Sequence, residues 1–255
     1  MRILFLGDVV AKSGRKKVEE RLPGLIQETK SDFVIVNGEN SAHGKGISTK
    51  IYHSLKNAGA DVVTLGNHAY SKSEIKLHFD ECPDLVCPAN LEPVDISKMI
   101  CVKECCGKKI AVVNILGSVF MDCSIDEPIV TMNRLLDKIH ADCIVVDLHA
   151  EATSEKELFL RMFADKCVAI MGTHTHIQTA DEKIYHGCAF ITDVGMCGPY
   201  DSILGRDAEE VIAHNVYRQN TRFTPSENEA MLCACIIDID DNNRAVSIQR
   251  LQERP

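Results

Sequence analysis

Short uninterrupted runs of aliphatic and β-branched residues recur along the chain, each closed by Gly, Asp, Asn or His. Such runs predict strands covered on both faces, and the amphipathic stretches between them predict helices, which together indicate an α/β sheet flanked by helices. Arg2 to Gly7 reads as a first strand ending at Asp8, followed by a helix over Ser13 to Thr29 with Val18, Leu22, Leu25 and Ile26 on one face. Phe33 to Val36 and Asp61 to Leu65 are further strands, with a helix from Ser48 to Ala58 between them and a short one from Lys72 to Asp80 after the second. Residues 86–91 form an extended piece, and Ile100 to Ile115 a hairpin turning at Cys106 to Lys109. A loop over 116–128 precedes a helix at 129–139; strands at 143–148, 167–171 and 188–192 follow, with a helix at 154–163 after the first. Gly195 to Tyr200 reads as irregular, and 230–240 with 245–251 as a closing pair of β runs.

Loops leaving the carboxyl ends of such strands gather on one edge of a sheet, where sites are built. Asp8, Glu39, Asn40, Asn67, His68, His149, His174 and His176 all fall at these ends. Singly, each has an ordinary explanation, such as a helix cap for Asp8 or a turn for Asn67. Their joint placement points to a metal centre. His174 and His176, one residue apart, could converge on one ion or straddle a pair. A pair of ions about 3.5–4 Å apart needs a bridging oxygen ligand and suits displacement at phosphorus; Asp8 and Glu39 are the acids available for it.

Composition narrows the partners. With 255 residues and no internal repeat or linker, a single domain over 1–255 is expected. The chain carries a formal net charge of −9, against broad binding to long nucleic acid. No run reaches membrane-span length, so no membrane is expected. Twelve cysteines without a secretion signal indicate a reducing cytoplasm and small buried hydrophobes. Their spacings do not make a zinc knuckle.

As a set, Gly7-Asp8, Gly38-Glu39-Asn40, Gly66-Asn67-His68, His149 and Gly172-Thr173-His174-Thr175-His176 resemble the ordered motifs of the calcineurin-like metallophosphoesterases. More narrowly, nearly the whole chain resembles the YmdB-like branch, bacterial cytoplasmic phosphodiesterases linked to 2′,3′-cyclic nucleotides. The resemblance implies a four-layered α/β/β/α sandwich and two metal ions. By it, Asp8, Glu39, Asn40 and His176 hold the first ion, Glu39 bridges, and Asn67, His149 and His174 hold the second. A metal-bridging hydroxide is the implied nucleophile, and the unligated His68 the implied acid that protonates the leaving ribose oxygen.

Two positions depart from the wider superfamily: Val10 stands where a histidine is common, and Glu39 replaces the usual bridging Asp. With Asn40 as an oxygen donor, the first site is oxygen-rich, favouring iron or manganese over zinc. Ser118 stands where the branch often has Arg. His43, Lys45, Tyr200, Asp201 and Arg206 are weaker pocket candidates, and Asp193, with Asp147 as a second case, is expected to orient a ligand histidine. The expected substrate is a small phosphodiester or nucleotide; homo-oligomerisation is left open. A phosphomonoesterase on the same site is the nearest rival, and a metal-containing regulatory binding protein a more distant one.

Overall fold

The structure, a computed structural model, describes residues 1–91, 98–121 and 125–255. Part of the loop expected over 116–128, and Cys123, lie outside the described residues.

The strands form two sheets. In chain order the first is built from β1 (Arg2–Leu6), β2 (Asp8–Val9), β3 (Phe33–Asn37), β4 (Val62–Thr64) and β5 (Leu85–Val86). The second contains β6 (Ile100–Cys105), β7 (Lys108–Leu116), β8 (Cys143–His149), β9 (Ala169–Thr173), β10 (Lys183–Tyr185) and β11 (Cys188–Ile191). The chain then returns to the first sheet with β12 (Met196–Pro199), β13 (Ala230–Ile239) and β14 (Ala245–Glu253). The first sheet runs β2-β12-β13-β1-β3-β4-β5 with β14 beside β13; the second runs β10-β11-β9-β8-β7-β6. β1, β3, β4 and β5 are mutually parallel, as are β7, β8, β9 and β11, so their loops open toward a common edge.

The two-residue periodicity of strands divides their side chains between layers. From β1 and β3, Ile3, Phe5, Phe33 and Ile35 face the second sheet and meet Val112, Val145 and Met171 there. Leu4, Leu6, Val34 and Val36 point the other way, onto Val18, Leu22 and Leu25 of α1 (Ala11–Thr29) and Tyr52 and Leu55 of α2 (Thr49–Ala58). On the outer face of the second sheet, Val146, Leu148 and Phe190 pack against Met132 and Leu135 of α4 (Pro128–Leu136) and Phe159, Leu160 and Phe163 of α5 (Thr153–Phe163), α3 being the short helix Ser73–Leu77. Three apolar seams thus separate four layers, α/β/β/α.

Local chemistry sets several boundaries. The Ser48 side chain accepts from Ile51 N and caps α2. The β6–β7 hairpin turns through Cys106 and Gly107, at φ 50 and φ 74, the two-positive-φ turn that glycine favours. Met196–Pro199, expected to be irregular, is instead β12. Its Met-Cys-Gly-Pro sequence has little strand propensity, but pairing imposes it: Met196 and Cys197 align with Asp8 and Val9, Gly198 and Pro199 with Met231 and Ala230. A last helix, α6 (Ala208–Asn215), has no buried residue and hence no apolar stripe to announce it. No described helix is long and apolar enough to cross a membrane.

Phe159 is buried in the outer seam, 1% exposed. Phe159→Ala is expected to lower unfolding free energy by about 3–5 kcal/mol in denaturant titration, through the cavity it leaves.

Candidate metal centre

The two sheets divide the candidate ligands by element. Asp8, Glu39, Asn40 and Asn67, all oxygen donors, come from β2 and the turns after β3 and β4 of the first sheet. His149, His174 and His176, all nitrogen donors, come from the ends of β8 and β9 of the second. One ligand atom each from Asp8, Glu39 and His149 lies within 4.8 Å of the others. The remaining residues surround this trio. His174 Nδ1 is 3.1 Å from His149 Nε2, Asn67 Oδ1 is 3.1 Å from His149 Nε2, and His176 Nε2 is 3.9 Å from Asp8 Oδ1. Asn40 Nδ2 is 3.5 Å from Asp8 Oδ1 and 3.1 Å from His176 Nε2.

The far nitrogen of each imidazole fixes its tautomer. Thr173 Oγ1 donates its one proton to Asp147 Oδ1 at 2.6 Å, so at 2.8 Å it accepts from His149 Nδ1. His176 Nδ1 donates to the Leu204 carbonyl at 3.0 Å. His174 Nε2 lies 3.2 Å from the Glu151 carboxylate. In its neutral form each ring therefore turns an unprotonated nitrogen toward the shared space, the arrangement of a metal-ligating histidine.

Lone pairs facing one another across about 3 Å repel unless a cation or proton lies between them. Glu39 Oε2 is 2.7 Å from His149 Nε2, yet the approach lacks hydrogen-bond geometry and this buried oxygen has no partner. Burial works against a charged His149, but Glu39, Asp8 and Asp147 outweigh it and lift its pKa to about 9. Burial next to His149 instead pushes His174 down to about 3. Burial drives Asp8 upward despite His176 and His149, whereas for Glu39 burial is outweighed by the His149, His68 and His174 imidazoles, which hold it below the usual range. Without a cation, the carboxylates draw a proton onto the imidazole best placed to carry one. The donor set fits metal cations in that place. Asn67 already aims its oxygen inward; Asn40 would do so after its amide is turned over, which exchanges O for N.

Glycine 66 makes room for this geometry, since a Cβ there would fall 1.3 Å from Glu39 Oε2 and 2.5 Å from His149 Nε2. His174 and His176 have φ 103 and φ 67, conformations that L residues rarely adopt and that cluster at functional sites. Asp8 Oδ2 accepts from His174 N at 3.1 Å, and Asp193 Oδ2 from Thr175 N at 2.9 Å, which holds the segment in place. Asp193 thus fixes backbone and touches no ligand imidazole, while Asp147, expected as the lesser case, orients His149 through Thr173. Lys156, fully buried on α5, donates to Asp193 Oδ2 at 3.1 Å and to the Thr173 carbonyl at 2.9 Å. Its charged-helix context concealed that role, and nothing in the sequence marked Glu151 or the Leu204 carbonyl as partners.

A cleft of about 410 Å³ opens onto the centre, lined among others by Glu39, Asn40, His68, Glu151, His174 and Arg206. His68 donates its backbone N–H to Glu39 Oε1 at 3.1 Å and lines the cleft. Burial lowers its pKa, only partly offset by Glu39. Tyr200, Asp201, His43 and Lys45 are not among the residues lining the cleft. Ser118 is committed elsewhere: its N–H and hydroxyl both lie 2.8 Å from Glu155 Oε1.

A family model described as YmdB-like protein matches residues 4–251. A 2′,3′-cyclic-nucleotide 2′-phosphodiesterase of Bacillus subtilis is 46% identical over 256 residues, 98% of this chain and 96% of the relative. The crystal structure of a novel phosphatase from Mycoplasma pneumoniae superposes with TM-score 0.93 at 35% identity, covering 99% of this chain and 93% of that one. A hypothetical protein from Thermus thermophilus gives 0.92 at 36% identity, covering 99% of both chains.

A cation held by His149 would displace the proton that Glu39, Asp8 and Asp147 favour on that ring. Below about pH 9, metal uptake is therefore expected to release protons, and apparent affinity to rise about tenfold per pH unit for each proton released. Calorimetry in buffers of different ionisation enthalpy reads the proton count. Gly66→Ala is expected to purify largely without metal by elemental analysis while keeping a native circular dichroism spectrum.

Proposed function

The chain belongs to the YmdB-like protein family, and on that premise we propose that it is a metal-dependent phosphodiesterase acting on 2′,3′-cyclic nucleotides. The observation that carries this reading is the convergence of imidazole lone pairs and buried carboxylates beside a cleft into which His68 projects. In this assignment Asp8, Glu39, Asn40 and His176 hold one ion. Asn67, His149 and His174 would hold a second, with Glu39 available to both. Bound there, the ions supply positive charge to the phosphate oxygens and lower the pKa of the attacking water. The oxygen-rich donor set favours iron, with manganese next and zinc behind.

The chain's own groups handle the leaving side. As the new bond forms between phosphorus and the oxygen of a water that has given one proton to solvent, the bond from phosphorus to one ribose oxygen breaks. That oxygen leaves as an alkoxide unless protonated, and the His68 imidazolium gives it the proton. In the free protein burial disfavours that imidazolium; an anionic phosphate beside it favours it again. The partner is thus a small phosphodiester in the cytoplasm, a compartment supported by cysteines that are free throughout the described residues. A second reading, phosphomonoester hydrolysis, draws on the Mycoplasma pneumoniae relative named a phosphatase.

Elemental analysis with a substrate panel tests these readings: turnover of 2′,3′-cyclic nucleotides well above that of nucleoside monophosphates is expected, and the reverse order favours the phosphatase. His68→Ala is expected to lower kcat about 10²- to 10⁴-fold with metal content unchanged. Unchanged turnover would remove His68 from the mechanism. His174→Ala or His176→Ala is expected to leave about one ion per chain rather than none, because each serves a different half of the centre.

A further inference from the structure

Arg206 closes a two-residue turn. Ile203 N donates to Arg206 O at 3.0 Å and Arg206 N to Ile203 O at 2.9 Å, with Leu204 and Gly205 between them at φ 51 and φ 87. The Leu204 carbonyl of this turn is the acceptor that fixes His176. One small element therefore orients a candidate ligand and, two residues on, delivers a guanidinium to the cleft.

That guanidinium keeps most of its donors open. Its side chain makes one hydrogen bond among the described residues, from Nη2 to the Gly44 carbonyl at 3.3 Å, and no ion pair. By contrast, Arg2 is paired with Asp238, and Arg21 with Glu28 and Glu253. Arg206 is half-buried, and burial alone pulls its pKa down, with no carboxylate offsetting it. Among the described residues it is the only Lys or Arg lining the cleft. The opposite loop is shaped around it: a Cβ on Gly44 would lie 2.9 Å from Nη1. It is also near enough to His68 to depress the imidazole's pKa, as is Lys45.

A partly desolvated cation with open donors, in a cleft beside a general acid, is suited to an oxyanion. Resting on the phosphoester reading above, we propose that Arg206 is the specificity-determining anion clamp of this site, its guanidinium donating to non-bridging oxygens of the substrate phosphate and holding it against His68. The planar fork spans two oxygens of one phosphate, which a lysine ammonium cannot match with fixed geometry.

The test uses the metal-loaded protein with inorganic phosphate as the probe. Arg206→Gln keeps a donor for the Gly44 carbonyl and removes the charge; Arg206→Lys keeps the charge and loses the fork. By calorimetry, phosphate affinity is expected to fall about 10- to 100-fold in Arg206→Gln and less in Arg206→Lys, with metal content and melting temperature unchanged. KM for a 2′,3′-cyclic nucleotide is expected to rise in the same order. In the wild-type protein, phosphate is expected to protect Arg206 from phenylglyoxal, located by peptide mass spectrometry, a measurement that no folding defect can confuse. Phosphate affinity within twofold of wild type in Arg206→Gln, or equal modification of Arg206 with and without bound phosphate, overturns the proposal. A wild-type protein that binds phosphate through Arg206 but leaves cyclic nucleotides intact refutes the substrate reading and retains the clamp.

Discussion

Everything at the open edge of this molecule answers to one electrostatic constraint: two buried carboxylates and three imidazole lone pairs face a common space that only positive charge can reconcile. Burying such groups without a partner is costly, and Glu39 Oε2 is left without a hydrogen bond. A proton on His149 relieves the conflict in part; a divalent pair relieves it more completely and leaves a site with net attraction for phosphate. Gly66 carries no side chain because the Glu39 carboxylate fills that position, and the histidine tautomers are set by Thr173, the Leu204 carbonyl and Glu151.

The surrounding scaffold keeps these atoms from relaxing apart. Asp147 is the main joint. From β8 of the second sheet it accepts from Asn37 Nδ2 at 2.9 Å and Thr64 Oγ1 at 2.5 Å on the first sheet, and from Thr173 on its own. Burial lifts its carboxyl to about 6, even with His149 and two hydroxyl donors opposing the rise. The Lys156–Asp193 pair does comparable work between α5 and the end of β11, and both side chains are fully buried. Removing either partner would strand a charge in the interior. These pairs hold His174 and His176 in backbone conformations the chain would otherwise leave.

Much of this was legible in the sequence because the strands are strongly apolar and end on polar residues in register with the sheet edge. The candidate ligand residues lie at strand ends, so reading where Val-Ile-Val stops pointed directly to Glu39 and Asn40. What escaped had no local signature. Met196–Pro199 is a strand by pairing alone, and α6 presents no apolar stripe. Lys156 looks like any helix-surface lysine until α5 is laid on the sheet. The exchange of roles between Asp193 and Asp147 turns on whether Thr173 lies between carboxylate and imidazole, a relation across strands. Arg206 could be named as a pocket candidate, but its lack of a carboxylate partner is visible only in three dimensions.

The separation of oxygen donors onto one sheet and nitrogen donors onto the other bears on how the protein is made. The acids and amides at positions 8 to 67 are synthesised well before His149, His174 and His176, and β1 waits longer still for β13, its antiparallel neighbour from residues 230–239. During synthesis the early segment carries the carboxylates and amides of the candidate centre without His149, His174 and His176. On the metal-centre reading proposed above, the full donor set is complete only when the second sheet docks, so an ion would be selected by a nearly finished fold and not by the emerging chain.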